Sequence, residues 1–436
     1  MFGKNFSYQS RSDWPPIKSW IVSRIQPDLS VEGPVREILQ RVMDQGDRAI
    51  VEYTRKFDCK DFETENITLP AEAIQDSLNH VDEQDMEIIR EAAQRIRSFH
   101  EIQKQKSWFF PDQDGAVMGQ MVAPVYRAGL YVPGGQGGET PLISSLLMNA
   151  IPAQVAGVES ICVVSPPRQD KTLNPYLLAT AHILGIKEIY LCGSAWAIAA
   201  MAYGTETIPH VDIIAGPGNI FVTMAKKMLV GQVGIDMIAG PSEVAVLADH
   251  TARADYIAAD LLSQAEHDSL AGTYLITTEK KLIEQTLEEL QRQTNLLPRA
   301  DIARKALQDW GASFLVPNLE KGFELSNSIA PEHFEICVED PWSCLGMIRN
   351  AGAVFMGENT PEPVGDYFAG PNHVLPTLST ARFSQALSVH AFQKNISIIS
   401  SNKNYINKHG KKIARMARLE GLEAHARSVE QRFENK

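Results

Sequence analysis

The stretch that decides the fold runs from Val125–Val132 (VYRAGLYV) through Leu142–Gly157 (LISSLLMNAIPAQVAG) to Ser160–Val164 (SICVV). A β-rich run, an apolar helical run and a second β-rich run in this order are typical of a strand–helix–strand unit. Such a unit pairs its two strands in parallel and covers the sheet with a helix. The stretch therefore predicts an α/β protein built on parallel sheets.

The same alternation continues along the chain. Two α/β units in tandem fit a length of 436 residues, because domains usually have roughly 100–200 residues. The further predicted strands are Glu188–Cys192, Val211–Ile214, Val244–Leu247, Tyr274–Thr277, Ser313–Val316 and Ala353–Phe355. The further predicted helices are Asn174–Leu184, Ala195–Tyr203, Ala254–His267, Leu282–Gln293 and Ile302–Trp310.

Helical segments flank these units. Apolar residues at spacings of three and four predict amphipathic helices in Val31–Lys56 and Pro70–Gln105, and a charged helix in Lys411–Arg432. We predict two Rossmann-like domains with helical ends. The predicted parts are an N-terminal extension (1–30), a discontinuous first α/β domain (31–124 and 243–378), a second α/β domain with the glycine loops (125–242) and a C-terminal tail (379–436).

The composition excludes several classes of protein. With 41 Lys+Arg and 53 Asp+Glu the net charge is −12, which argues against a general nucleic-acid binder. The five cysteines form no CxxC pair and so predict neither a disulfide framework nor a thiolate zinc site. There is no apolar signal region and no apolar run of about 18 residues. We expect a cytoplasmic protein without a membrane or nucleic-acid partner.

Two glycine clusters follow predicted strands, at Tyr131–Gly138 (YVPGGQGG) and Ala215–Asn219 (AGPGN). Glycines let a backbone approach a phosphate group closely. The G-x-G-x-x-G and GxxxxGK[ST] fingerprints are nevertheless absent, so a nucleotide site and plain tight turns both stay open. Ligands of α/β sheets bind beyond the carboxyl ends of the strands, where both clusters are expected.

Four segments carry polar residues that suggest chemistry. Gln264 and His267 share one helix face, although a His near a helix C-terminus can be a dipole partner. Glu332 and His333 offer a carboxylate and an imidazole in one loop, which suits acid–base work near neutral pH, but adjacent Glu-His pairs are common. Asp366 lies in a Gly/Pro-rich loop after a strand, where a turn role is equally open.

The fourth segment holds Glu420 and His425, which would ordinarily be surface residues of a charged helix. Dispersed nitrogen and oxygen donors without a thiolate suit a catalytic zinc or manganese ion. From the residues alone, the four segments indicate an α/β enzyme and leave its dependence on a metal open.

Taken together, these segments resemble the histidinol dehydrogenase family over nearly the whole chain. The matching blocks, in order, are Leu130–Gly135 (LYVPGG), Ala150–Val158 (AIPAQVAGV), Ala202–Pro209 (AYGTETIP), Ala215–Thr223 (AGPGNIFVT), Gly231–Val244 (GQVGIDMIAGPSEV), Asp260–Asp268 (DLLSQAEHD), Ala330–Glu335 (APEHFE), Gly365–Thr377 (GDYFAGPNHVLPT) and Glu420–Ala426 (EGLEAHA).

The resemblance implies oxidation of L-histidinol to L-histidine through an aldehyde, with two NAD⁺. It implies one zinc ion per subunit on Gln264, His267, Asp366 and His425, which would also contact substrate. His333 would be the base for the hydroxyl proton and Glu332 would activate the water that adds to the aldehyde. The remaining substrate contacts implied are Ser242, His373 and Glu420, together with His333.

On the cofactor side the resemblance implies Tyr131 and Asn219. It departs from the family at Trp196, where a Gln is usual, and in the loop Gln136–Thr140, which is about three residues longer. It further implies a homodimer whose C-terminal tails cross, so that each site is shared between subunits.

Three other functions compete with this one. A related zinc- and NAD-dependent dehydrogenase of another small diol or amino alcohol would keep the same zinc and Glu-His residues. A zinc hydrolase could use Glu332 to activate a water molecule. A non-catalytic binding or scaffold protein would be expected to have lost at least one metal or acid–base position, and all six are present.

Overall fold

The computed structural model describes residues 2–24, 29–135 and 140–433, and within them the α/β class predicted from the sequence is confirmed. Two parallel sheets and one small antiparallel sheet form its framework. The strands are β1 (Lys4–Ser7), β2 (Trp108–Pro111), β3 (Val117–Pro124), β4 (Arg127–Tyr131), β5 (Ser160–Ser165), β6 (Glu188–Leu191), β7 (Ile213–Ala215), β8 (Gly234–Ile235), β9 (Glu243–Ala248), β10 (Gly272–Thr277), β11 (Gly311–Leu315), β12 (His333–Cys337), β13 (Ala353–Met356) and β14 (Gln393–Ser400).

Helices cover the parallel sheets and flank them at both ends of the chain. They are α1 (Trp14–Ser23), α2 (Glu32–Gln45), α3 (Asp47–Phe57), α4 (Ala71–Asp76), α5 (Glu83–Ile102), α6 (Ile143–Ala156), α7 (Pro175–Ile183), α8 (Ser194–Tyr203), α9 (Ile220–Leu229), α10 (Ala254–Ala265), α11 (Lys280–Thr294), α12 (Ala300–Trp310), α13 (Leu319–Ile329), α14 (Lys403–Leu419) and α15 (Glu423–Phe433).

The larger sheet has the strand order β1-β11-β10-β9-β12-β13, and every pair is parallel. All residues of β9, β10 and β12 are buried, as expected for strands covered on both faces. Two of its strands were not predicted. β1 is short and mostly exposed, and β12 begins with polar residues that resemble a loop sequence.

The smaller parallel sheet has the order β6-β5-β4-β7-β8. Its apolar side chains share one buried cluster with those of α2, α3, α5 and α6. The helices of 31–102 therefore pack with the sheet of 125–242, whereas the sequence prediction had grouped 31–124 with 243–378. The N-terminal segment also differs from a separate extension, since β1 joins the larger sheet and Ile17 and Ile21 enter its core.

The C-terminal tail begins with β14, which pairs antiparallel with β3, and β3 pairs in turn with β2. It ends in two helices, α14 and α15, where the sequence predicted one charged helix. The break falls at Gly421, whose φ of +77° favours glycine. The junction exposes apolar side chains, with Met416 at 65% and Leu419 at 69%. The remaining predicted domain boundaries stay predictions.

A search of the described residues finds no helix with the length and apolar character that crossing a bilayer requires. The longer glycine loop predicted at Gln136–Thr140 lies outside the described residues except for Thr140.

Trp196, the departure from the family pattern, belongs to the core. It is 4% exposed, and its indole stacks on two rings of α3, with centroids 5.5 Å from Tyr53 and 5.6 Å from Phe57. Its Nε1 atom is buried and has no hydrogen-bond partner. The residue therefore joins α8 to α3 through aromatic packing.

We expect Trp196→Gln to lower the free energy of unfolding by about 2–4 kcal/mol, because it replaces a buried aromatic ring by a smaller polar group. The matched control is Trp196→Phe, which keeps a ring and removes the unpaired N–H, and should cost less than half as much. Urea unfolding of both variants measures the difference. Equal stability of the Gln variant and the wild-type protein would contradict the packing role.

Candidate active site

The Glu332–His333 pair lies at the amino end of β12, in the middle of the larger sheet. The sequence had placed both residues in a loop, but His333 is the first strand residue, in register with Val244 of β9 and Ala353 of β13. Glu332 and His333 are 5% and 3% exposed. Neighbouring strands on both sides therefore fix a carboxyl group and an imidazole at one buried point.

The hydrogen bonding of His333 defines its tautomer. Its Nδ1 lies 3.2 Å from the carbonyl oxygen of Glu243, which can only accept, so Nδ1–H donates. Its Nε2 is buried without a hydrogen-bond partner. In the neutral ring the free lone pair is therefore on Nε2, the atom a general base would use.

Carboxyl groups surround this ring. Nε2 lies 3.9 Å from Glu362 Oε1 and 3.6 Å from Asp366 Oδ1, and Nδ1 lies 3.9 Å from Glu332 Oε2. Burial lowers the pKa of His333, but the nearby carboxylates outweigh burial and raise its pKa to about 10. Burial raises the pKa of Glu332 to about 7, against the opposing charge of His333. Three carboxyl groups, those of Glu332, Glu362 and Asp366, thus lie around a single imidazole.

Asp366 and Glu362 reach the site on a segment that turns back over the sheet after β13. The backbone N–H of Gly357 donates to the carbonyl of Ile336 and that of Glu362 to the side chain of Glu335. Asp366 then lies in a short π-helical turn, Val364–Ala369, where the sequence predicted a loop. Burial alone would raise the pKa of Asp366, but the nearby charges of His333, His373 and His267 outweigh burial and hold this pKa below its usual value.

Glu362 is a functional candidate that sequence reasoning missed. It is 2% exposed, and its Oε2 accepts a hydrogen bond from Ser263 Oγ at 3.1 Å. His333, Glu362 and Asp366 have donor atoms within 4.8 Å of one another, close enough to hold a metal ion. The spacing of four residues between Glu362 and Asp366 was the available signal, but the intervening Pro363 and Gly365 hid a helical turn.

The end of α10 supplies the predicted Gln264 and His267. Gln264 is 1% exposed, and its Oε1 is a buried acceptor without a partner. His267 follows the helix and is exposed, and its charge acts on Glu362 and Asp366. His267 therefore lies near Glu362 and Asp366, and Gln264 lies three residues before it, at the end of α10.

Two predicted substrate contacts border the same site. Ser242 directly precedes β9 and is partly buried. The ring of His373 donates from Nδ1 to the backbone oxygen of Asp366 at 3.0 Å, which leaves its Nε2 free. The two others lie apart, because Glu420 and His425 are exposed near the junction of α14 and α15.

The predicted cofactor residues lie at the carboxyl edge of the smaller sheet. The hydroxyl group of Tyr131 accepts a hydrogen bond from the backbone N–H of Ser194, at the start of α8. The side chain of Asn219 caps α9, accepting from the N–H groups of Phe221 and Val222. Gly216 has φ +120°, and a Cβ there would lie 2.1 Å from the Tyr131 carbonyl oxygen. Two helix N-termini and a close backbone approach at one edge suit an anionic ligand.

A buried ion pair lies next to Glu332 and His333. Arg24 pairs with Glu243, and both side chains are at most 1% exposed. Arg24 also donates to the carbonyl oxygen of Ser242 at 3.3 Å. The backbone N–H of Glu243 donates to Glu332 Oε2 at 3.0 Å, and its carbonyl oxygen accepts from His333.

The protein has two parallel sheets covered by helices, and a buried imidazole lies among carboxyl groups at the edge of one sheet. This combination is typical of an α/β enzyme whose site can bind a cation. The histidinol dehydrogenase family model matches residues 23–433. Histidinol dehydrogenases of Oleidesulfovibrio alaskensis and Nitratidesulfovibrio vulgaris are each 58% identical, over 99% and 97% of both chains. The crystal structure of histidinol dehydrogenase from Elizabethkingia anophelis superposes with a TM-score of 0.92 at 37% identity, covering 98% of this chain and 97% of that one. The chain belongs to the histidinol dehydrogenase family.

We expect Arg24→Leu to destabilise the protein by about 3–5 kcal/mol, because it leaves the Glu243 carboxylate buried without a counter-charge. The control is the double variant Arg24→Leu/Glu243→Leu, which removes both charges and should recover most of that loss. Denaturant unfolding of the two variants at neutral pH measures both effects. A single variant as stable as the wild-type protein would show that the pair does not support the site.

Proposed function

We propose that the chain is an NAD-dependent histidinol dehydrogenase that oxidises L-histidinol through L-histidinal to L-histidine, the end of histidine biosynthesis. Family membership supports the reaction. The observation that carries it is the free, buried Nε2 of His333, held in one tautomer by the Glu243 carbonyl. A positioned base of this kind is what abstraction of an alcohol proton requires.

The residues present fit the zinc ion that the family implies. Gln264 Oε1 is an unpartnered buried acceptor, and Asp366 adds a carboxylate. Together with His267 and His425 of the partner subunit, Gln264 and Asp366 would form a set of nitrogen and oxygen ligands. Such a set suits a catalytic rather than a structural ion. When bound, the ion would orient the substrate and, by its charge, lower the pKa of His333 toward neutrality.

The chain's own groups account for the proton movements. His333 Nε2 would accept the hydroxyl proton of the substrate, and NAD⁺ held beside Tyr131 and Asn219 would supply the hydride acceptor. Glu332, with a pKa of about 7, can take a proton from the water that adds to the aldehyde. His333 returns its first proton to the aldehyde oxygen as the hydrate forms, and being neutral again it accepts the hydrate's hydroxyl proton in the second oxidation. Ser242, His373 and Glu420 would hold the polar groups of the substrate.

The cofactor would lie at the carboxyl edge of the smaller sheet, beside Tyr131 and Asn219. Tyr131 is only 3% exposed, so little water reaches its side chain. Gly216 has no Cβ, which lets its backbone pass close to the Tyr131 carbonyl oxygen. Trp196 stacks on α3 in this chain, so the Gln contact that the family usually has is not available from that position.

The deciding experiment is an end-point assay with limiting L-histidinol, excess NAD⁺ and zinc-loaded protein. We expect two NADH per histidinol and histidine as the product, because conversion of an alcohol to an acid removes four electrons. His333→Asn should lower turnover by about 10²–10⁴-fold while zinc stays bound.

The assay also separates the alternatives. Folded, metal-loaded wild-type protein that forms no NADH would point to a dehydrogenase of another diol or amino alcohol. Near-normal turnover in His333→Asn would exclude His333 as the base. Zinc content by atomic spectroscopy serves as the control that the variant retains its metal.

We propose a homodimer in which the tail of each subunit completes the other subunit's site. Glu420 and His425 are exposed on a tail with exposed apolar side chains, including Met416 and Leu419. Exposed apolar patches of this kind mark interaction surfaces. A two-fold interface would bring His425 to the partner's Asp366 and His267.

Mixed dimers of His333→Asn and His425→Asn test the sharing. In a crossed arrangement each mixed dimer has one site with both changes and one intact site, so we expect about a quarter of wild-type activity after random exchange of subunits. Each variant alone, taken through the same dissociation and reassociation, is the control. Activity no higher than that of the variants alone would show that His425 serves its own chain.

A further inference from the structure

Lys226 and Asp236 form a buried ion pair that the proposed mechanism does not use. Lys226 lies on α9 and Asp236 directly follows β8, and their side chains are 4% and 0% exposed. Lys226 Nζ lies 2.5 Å from Asp236 Oδ1. Buried charges are costly unless they are paired and hydrogen-bonded. The other hydrogen bonds of the two groups therefore indicate which part of the chain the pair holds.

Both charged groups bind the backbone of the same residue, Gly216. Its N–H donates to Asp236 Oδ2 at 2.8 Å, and its carbonyl oxygen accepts from Lys226 Nζ at 2.9 Å. Asp236 Oδ1 also accepts the backbone N–H of Met237 at 2.7 Å. Hydrogen bonds that involve an ionised group are stronger than those between neutral groups. One buried ion pair thus fixes both polar backbone groups of a single glycine.

The register of the smaller sheet explains why these groups meet. β7 and β8 are parallel neighbours, with Ile214 opposite Ile235. Gly216 is the first residue after β7 and Asp236 the first after β8, so both lie at the carboxyl edge of the sheet. Lys226 reaches the same point from α9, because the side chains of a helix lean toward its N-terminus.

Gly216 shapes the glycine loop Ala215–Asn219. Its φ of +120° is a conformation that residues with a Cβ rarely adopt, and a Cβ would collide with the carbonyl oxygen of Tyr131. The loop leads directly to Asn219, whose side chain caps α9. The ion pair therefore holds the loop in an uncommon conformation, at the edge where Tyr131 and the start of α9 come together.

The segment that carries Asp236 continues to the acid–base centre. The carbonyl oxygen of Ala239 accepts a hydrogen bond from Thr223 Oγ1 of α9 at 3.2 Å. Seven residues after Asp236, the backbone N–H of Glu243 donates to Glu332. The ion pair thus fixes the beginning of a short segment whose end contacts the acid–base pair.

We propose that the Lys226–Asp236 ion pair is a positioning device for NAD⁺, which holds the loop Ala215–Asn219 in the shape that receives the diphosphate of the cofactor. The two charges cancel, so the pair acts through the backbone of Gly216. A loop that is ordered in advance binds more tightly, because its ordering cost is not met on binding. The role toward NAD⁺ rests on the proposed function, whereas the holding of the loop does not.

The test measures NAD⁺ binding to folded protein without substrate, by isothermal titration calorimetry. Lys226→Met removes the donor to Gly216 and should weaken NAD⁺ binding by about tenfold, because the loop then has to be ordered by the cofactor. The matched control is Lys227→Met, which changes the adjacent, exposed lysine of the same helix and should leave the affinity within about twofold of wild type.

A second comparison separates positioning from stability. The double variant Lys226→Met/Asp236→Leu removes both buried charges and should unfold at a higher urea concentration than Lys226→Met. It still lacks both bonds to Gly216, so NAD⁺ binding should stay about tenfold weaker than in wild type. Arg127→Met breaks the ion pair with Glu188 at the amino edge of the same sheet, and should lower stability without changing NAD⁺ affinity.

Hydrogen exchange reports on the loop without cofactor or turnover. The Gly216 amide is bonded to a buried carboxylate in the wild-type protein and should exchange about tenfold faster or more in the double variant. In the zinc-loaded enzyme, Lys226→Met should raise KM for NAD⁺ by about tenfold and change KM for L-histidinol by less than about threefold.

The outcomes are distinct. Unchanged NAD⁺ affinity in folded Lys226→Met and in the double variant would overturn the positioning role, and so would an equal loss of affinity in Arg127→Met. Unchanged exchange of the Gly216 amide in the double variant would show that the pair does not hold the loop. If Lys226→Met does not fold, the double variant, which has no unpaired buried charge, takes its place. Wild-type protein that binds no NAD⁺ would instead refute the proposed function, and the exchange measurement would still test the loop.

Discussion

The backbone N–H and carbonyl groups of Glu243 hold the site together. Its N–H donates to Glu332 and its carbonyl oxygen accepts from His333, so one strand residue fixes both members of the acid–base pair. Its side chain is neutralised by Arg24 in the interior. The parallel register of β9 with β12 makes these bonds possible, because it sets Val244 opposite His333. A slip of one residue would turn His333 to the other face of the sheet.

Charge is the second constraint on this site. Glu332, Glu362 and Asp366 lie around a single imidazole, and the nearby Arg24 is already paired with Glu243. Buried carboxylates at such density need protons or a cation. A divalent ion bound by Gln264, His267 and Asp366 would balance part of this negative charge.

Much of the fold followed from periodicity. The runs at Val125–Val132 and Ser160–Val164 were apolar enough to be recognised, and they became β4 and β5. β12 was not predicted as a strand, because two of its buried residues, His333 and Glu335, are polar. They break the apolar pattern that is typical of a buried strand. Gln264, His267 and Asp366 were predicted as site residues through family resemblance. Glu362 was not, because its position depends on a segment that returns across the sheet, which no local pattern records.

The pairing of β1 with β11 has a consequence for the order of synthesis. The chain emerges from the ribosome from its N-terminus, yet β1 finds its neighbour only when residues 311–315 have been made. Arg24 likewise has to wait for Glu243. The earliest residues thus remain unpaired through most of translation, and contacts of such long sequence separation form late. Because β1 is an edge strand, the larger sheet can receive the strand made first only after its inner strands β9, β10 and β11 have been made.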